Sequence, residues 1–240
     1  NKQCIVECDA FELPKKNTLT LSYEAFCSVS DVDVPGVKVN LKKGIPSGGG
    51  LGGGSADAAA LVRVLQKMCG IKLSDEKLDL IASKTGSDVF FFQHCDDEGK
   101  GCALVSGRGE VIKKIIPRDD LFLLLIFPKV SSSTKEAYDL VDKYLAKKDK
   151  VKGPGLAELE DVYRKAVNQW NFVNTFTPAL SKKYKEIEAA LIDLKKVGSE
   201  YVEMSGSGST VFGVSTLEQQ AINSYNLLAE FWNCKVARVV

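Results

Sequence analysis

The sequence predicts an α+β protein in which helices pack on antiparallel sheet. Three observations carry this. The final third alternates helical and strand patterns in the order α-β-β-α-β, with a helix near 178–196, strands at 201–204 and 210–214, a helix near 216–232 and a last strand "KVARVV". Its longest apolar run, "LFLLLIF" at 121–127, has the length of a strand rather than of a membrane span. At 240 residues, with 45% hydrophobic and 26% charged residues, the chain is long enough to bury a sizeable core.

Taken in order, "VKVNLK" at 37–42 alternates apolar and polar residues and reads as a strand. A glycine run follows, and then Ala58, Leu61, Val62, Leu65 and Met68 fall at helical spacing until Gly70 stops them. Ser74 opens a second helix, with Glu76 in its first turn and Gly86 past its end. "DVFFFQ" (88–93), "GCALVSGRGEVIKKI" (101–115) and 121–127 read as strands or strand pairs, and Ser133 to Leu145 as a helix. The charged, glycine- and proline-containing stretch 145–159 reads as a mobile loop, followed by a helix near 158–173. A boundary between two domains is expected at 128/129.

Composition narrows function. A net charge of +1 gives no support for a nucleic-acid or membrane-surface partner. The seven cysteines form no C-x-x-C pair and His94, for which the sequence offers no partner, is the only histidine. That argues against a zinc site and a disulfide framework, and for a reducing compartment.

The chemistry concentrates in "GIPSGGGLGGGSADAAA" (44–60), where six of the seven positions 48–54 are glycine. Glycine inside an element costs about 0.5–1 kcal/mol relative to alanine, so the run points to a backbone that something must approach closely. A flexible linker fits poorly between a strand and a well-formed helix. A Walker A loop is excluded, because Ser55 and Ala56 follow the glycines where lysine is required. Gly48, Gly50 and Gly53 satisfy G-x-G-x-x-G, but the strand ending in Asp or Glu that a dinucleotide site needs is replaced by a second helix. What remains is an anion held by backbone N–H groups at the N-terminus of helix 55–68. Ser55 either caps that helix or lends its hydroxyl to phosphate or metal.

"PSGGGLGGGSADAAA" (46–60) resembles the ATP-binding loop of the GHMP small-molecule kinases. "KNTLTLSYEAF" (16–26), "GSDVFFF" (86–92, with Phe90 where the family has proline), "GRGE" (107–110), "VSSSTKEAY" (130–138) and "MSGSGSTVFG" (204–213) are similar to further family segments in the family's order. The triple glycine before Ser55 is most similar to the branch of the non-mevalonate isoprenoid pathway. The resemblance implies a GHMP kinase fold, with a ribosomal-protein-S5-like N-terminal half carrying the nucleotide loop and a ferredoxin-like C-terminal half. It further implies ATP-dependent phosphorylation, with Mg²⁺, of the 2-hydroxyl of a small molecule, cytidine diphosphate-linked methylerythritol. A mevalonate- or homoserine-type kinase, or a GHMP-fold protein that binds nucleotide without catalysis, are the alternatives. The family opens with a P-A-K-x-N-L strand carrying a catalytic lysine and with a G-Y-H that holds cytosine; neither occurs here, and these N-terminal strands are expected upstream.

Residue by residue, the resemblance assigns ATP contacts to Pro46, Ser47, Gly48, Gly49, Gly50, Leu51, Gly52, Gly53, Gly54, Ser55 and Ala56, with Gly206, Ser207 and Gly208 lying under that loop. It makes Asp88 the catalytic base and puts Thr134 and Tyr138 beside the cytidine, Tyr138 stacking on the pyrimidine. From pattern alone, Asp88 can also be read as a turn aspartate, 205–208 as a hairpin turn, and Tyr138 as an interior aromatic. Arg108 and Glu110 are expected to be structural or to flank the substrate. Plastid-type organelle and bacterial cytoplasm both fit, no membrane or nucleic-acid partner is expected, and a homodimer stays open.

Overall fold

A computed structural model describes residues 2–130, 133–146 and 152–239. The chain forms two compact units, one of residues 1–47 and 52–116 and the other of 48–51 and 117–240. This division falls ahead of the expected 128/129 boundary, because the strand 122–126 pairs within the second unit's sheet.

In the first unit, β1 (Cys4–Cys8) and β2 (Val37–Leu41) pair in parallel, Cys4 opposite Val37 and Cys8 opposite Leu41. Parallel neighbours need a crossover, and α1 (Thr18–Val29) supplies it. Asn17 starts α1: its Oδ1 accepts from Leu19 N at 3.0 Å and Thr20 N at 3.1 Å, while Thr20 Oγ1 accepts from Asn17 N. Such a cap is worth ~1 kcal/mol. Leu19, Tyr23 and Phe26 of α1 close on Leu61, Val62 and Leu65 of α2 (Gly53–Cys69) and on Ile81 of α3 (Asp75–Thr85). Gly70, at φ 64°, ends α2 where the sequence placed its stop.

Residues 88–93, expected as a strand, belong instead to a helix, α4 (Ser87–Gln93). Val89, Phe90 and Gln93 are its buried residues, spaced i, i+1, i+4 on one helical face; a strand would have buried every second residue. A short apolar run reads the same in both periods, and here packing against Ala58 and Ala82 decides. Beyond it, β3 (Ala103–Ser106) and β4 (Val111–Lys114) form the expected antiparallel pair across the turn 107–110.

The second unit is a four-stranded antiparallel sheet in the order β6-β7-β5-β8, from β5 (Phe122–Ile126), β6 (Tyr201–Met204), β7 (Val211–Ser215) and β8 (Cys234–Arg238). Helices including α5 (Thr134–Leu145) and α8 (Lys185–Lys196) fill the first crossover and α9 (Glu218–Leu228) the second, the β-α-β-β-α-β plan of ferredoxin-like sheets with extra helices in its first connection. Alternation along the strands makes two cores. Leu124, Ile126, Met204 and Val211 face Val141, Ile187 and Leu194 of the helices. Leu121, Leu123, Phe212 and Val214 face Tyr163, Val167 and Trp170 from the segment before α7 (Thr177–Lys183).

Two departures from expectation follow, the first set by that second layer and the second by a contact with α5. The helix expected over 158–173 shrinks to a 3₁₀ turn at Leu156–Glu158, α6 (Leu159–Arg164) and a second 3₁₀ turn at Val167–Gln169, since Lys165 turns extended and Trp170 packs its ring against Tyr163 and Tyr201. The helix expected over 178–196 breaks at Tyr184 (φ −108°, ψ 103°), whose hydroxyl donates to Glu136 Oε1. Of the expected loop 145–159, residues 147–151 lie outside the described residues. Among the described residues no helix is long and apolar enough to cross a membrane.

Candidate active site

Within the first unit, the N-terminus of α2 is bare. Gly52 (φ 65°, ψ 13°) precedes it, its carbonyl accepting from Ser55 N at 3.0 Å and Ala56 N at 2.9 Å. No side chain caps the helix: Ser55, a candidate cap, lies inside the first turn. The N–H groups of Gly53 and Gly54 have no acceptor among the described residues, and with the positive end of the helix they present an anion site.

Several side chains surround this end, Thr18 and Ile45 among them. A Cβ at Gly52 would lie 2.9 Å from Phe92 Cε2 and 3.9 Å from Asp88 Oδ2, so the Asp88 carboxylate stands beside the glycines. Lys43 Nζ lies 3.5 Å from where a Gly53 Cβ would be and 2.9 Å from Asp57 Oδ2. No lysine follows the glycine run, but the fold brings one from just before it.

Asp88 is exposed in the first turn of α4, with no hydrogen bond or ion pair among the described residues. Its position is set from below. Gly109, at φ 115°, lies so close to Ser87 that a Cβ there would sit 2.3 Å from the Ser87 carbonyl oxygen. The turn is itself tied by Glu110, whose carboxylate accepts from Arg108 N at 2.6 Å; backbone N–H donors, its own first and then that of Arg108, hold this carboxyl below the usual range. At the other end of α4, His94 Nε2 meets Asp79 Oδ1 at 2.8 Å, a partner on α3 that sequence spacing did not reveal.

In the second unit, Gly49 and Gly50 (φ 76°) pack on the β6–β7 loop backbone to backbone. Thr210 N donates to Gly49 O at 3.1 Å and Ser205 Oγ to Gly50 O at 2.8 Å. A Cβ on Gly50 would lie 2.1 Å from Ser205 O, and one on Gly206 would lie 3.1 Å from Gly50 O. The loop therefore supports Gly49 and Gly50 through Thr210 and Ser205, with Gly206 and Gly208 lying against Gly50. Thr134 and Tyr138 share the exposed face of α5. Tyr138 is 56% exposed, which rules out the interior-aromatic reading, and its ring meets Phe176 edge-on at 4.9 Å between centroids.

The GHMP kinases N terminal domain profile matches residues 17–96 and the GHMP kinases C terminal profile matches 156–233. The chain belongs to the GHMP kinase family. Among relatives of this GHMP kinase, a protein of Treponema pallidum (strain Nichols) named 4-diphosphocytidyl-2-C-methyl-D-erythritol kinase is 35% identical over 243 residues, covering 99% of this chain and 81% of the relative. One of the same name from Thermotoga maritima is 37% identical, covering 86% and 73%. A crystal structure of 4-(cytidine 5'-diphospho)-2C-methyl-D-erythritol kinase superposes with a TM-score of 0.73 at 24% identity, over 99% of this chain and 82% of that one. A homoserine kinase from Cytophaga hutchinsonii gives 0.68 at 19%, over 100% and 82%. At these identities the solved structures establish the GHMP kinase fold.

Two features of this GHMP kinase escaped sequence reasoning. Lys43 and Asp57 are fourteen positions apart on a strand exit and a helix, and no local spacing marks them as a pair. Asn174 lies between two expected helices, in a stretch with no expected role, yet its side chain reaches the β6–β7 loop.

Proposed function

We propose that this GHMP kinase transfers the γ-phosphoryl group of ATP to the 2-hydroxyl of 4-diphosphocytidyl-2-C-methyl-D-erythritol, serving isoprenoid precursor synthesis. The observation that carries it is the unpaired Asp88 carboxylate beside the bare N-terminus of α2. Phosphoryl transfer needs phosphates held by donors and one group to take the alcohol's proton. The N–H groups of Gly53 and Gly54 hold the phosphates, while Asp88 Oδ2 accepts the proton as the alcohol oxygen attacks phosphorus. Lys43, 10% exposed and paired with Asp57, adds fixed positive charge on the same side. Mg²⁺ bound with the nucleotide would neutralise phosphate charge. The Ser55 hydroxyl is an oxygen donor that would suit such a cation, and among the described residues no group of three or more His, Cys, Asp or Glu is placed to cage a metal. The shared name of the relatives selects the substrate.

The test is a panel with ATP and each of the cytidyl compound, mevalonate and homoserine, the product followed by phosphorus NMR. Turnover of the cytidyl compound alone is expected. Turnover of mevalonate or homoserine in its place overturns the assignment, and ATP binding without turnover of any of the three favours a nucleotide-binding protein.

Tyr138 provides a second check. Stacking a base on an aromatic ring is worth roughly 1–3 kcal/mol, so Tyr138→Ala is expected to raise KM for the cytidyl substrate by about tenfold or more while KM for ATP stays put. A parallel rise in both would assign Tyr138 to supporting Phe176 instead.

A further inference from the structure

Residues 48–50 have no side chains with which to hold themselves, so the β6–β7 loop must hold them, and something must hold that loop. Asn174 reaches it from the extended stretch before α7. Its Nδ2 donates to two carbonyls of the loop, Met204 O and Gly206 O, each at 2.7 Å. Its Oδ1 accepts from Phe176 N at 2.9 Å, and its own backbone N donates to Glu203 Oε2 at 3.2 Å. Glu203 Oε1 in turn accepts from Thr177 Oγ1 at 2.5 Å and from Met204 N at 2.9 Å. Every polar atom of the Asn174 carboxamide is used, and the two carbonyls it grips flank Ser205, the residue whose hydroxyl binds Gly50 O.

We infer that Asn174 is a positioning residue for nucleotide binding: by gripping the Met204 and Gly206 carbonyls it fixes Ser205 and Thr210, and through them the backbone of Gly49 and Gly50. The inference rests on the ATP-dependent reading above. A glycine backbone released from its support samples many conformations, and apparent affinity falls by the fraction of molecules left competent to bind. Asn174 also touches Phe176, whose ring meets Tyr138. Its two ends can be separated experimentally, because only Nδ2 serves the loop.

Asn174→Asp keeps the shape and the acceptor for Phe176 N but turns oxygens toward two carbonyls. Asn174→Ser removes the grip without adding charge. ATP is titrated calorimetrically into the full chain, with steady-state kinetics and thermal melts alongside. Both variants are expected to weaken ATP binding by about tenfold, with KM for ATP rising in step. In the Asp variant kcat at saturating ATP and KM for the alcohol should stay near wild type. Unchanged ATP affinity in either folded variant overturns the inference. So does an equal loss in kcat and in both KM values, or failure of both variants to fold, since Asn174 would then serve the fold at large. Wild-type protein that binds no ATP would instead overturn the proposed function itself.

Discussion

Asp88→Asn is expected to lower kcat by about 10²–10⁴-fold, the usual worth of general-base help, while leaving ATP affinity close to wild type. An alcohol is too weak an acid to attack phosphorus efficiently with its proton in place. The acceptor must stand near the phosphates yet stay free of other partners. Asp88 meets both conditions within the first unit: its Oδ2 is 3.9 Å from the position of a Gly52 Cβ, and it has no hydrogen bond or ion pair among the described residues. It does not sit at the mouth of a strand, as the apolar run after it led one to expect, but in the first turn of α4. That placement makes its position stiffer, because Ser87 is wedged against Gly109 and Arg63 Nη2 donates to Phe92 O at the helix's far end. Asparagine preserves the volume and removes the proton acceptor. The measurement is steady-state phosphorylation of the cytidyl substrate by the full-length protein, beside a calorimetric ATP titration. If the Asn variant turns over at a near-normal rate, Asp88 is a helix-turn residue and the base lies elsewhere. If ATP affinity collapses as well, its main duty is to shape the phosphate end of α2.

What was legible in the sequence is what local periodicity and chain-end chemistry encode. Ala58, Leu61, Val62 and Leu65 became core while Met68, of the same spacing, stayed exposed near the helix end, and Gly70 stopped α2 in the left-handed conformation a glycine stop requires. In the second unit β5 and β7 were legible as apolar runs on a sheet covered on both faces, while β6 and β8 mix apolar and charged residues and were legible from the turns and helices that bound them. β1 and α1 were not assigned. Cys4–Cys8 is only half-buried along its length, and the capping box at Asn17 uses Thr20 where a glutamate would have flagged it. The site divides in the same way. The glycine run announces itself, since so many glycines are costly without a reason. Lys43, His94 with Asp79, and Asn174 act through partners far along the chain, and single-residue identity carries no record of those contacts.

Gly50→Ala should be the most damaging single-methyl change in the glycine run. Gly50 has φ 76°, where an L side chain costs roughly 1–2 kcal/mol. Its Cβ would also sit 2.1 Å from Ser205 O and 3.0 Å from Gly208 O, and these are backbone atoms that cannot swing aside as a side chain could. Overpacking of that kind typically adds about 1–3 kcal/mol. For a chain of this size each kcal/mol moves Tm by about 2–4 °C, so the variant is expected to melt roughly 4–20 °C below wild type. ATP affinity should fall by well over tenfold, because relieving the clash must part Gly50 from Ser205 and undo the Ser205 Oγ bond to Gly50 O. Gly44→Ala is the matched control. It has no positive φ and nothing within 4 Å of the added methyl, so its Tm should match or slightly exceed wild type. Thermal melts and ATP titrations of the two variants side by side separate tight packing from a general need for flexibility. Equal damage at both positions would show that the run works by freedom of the chain alone, and an unharmed Gly50→Ala would show that the loops do not interlock in solution.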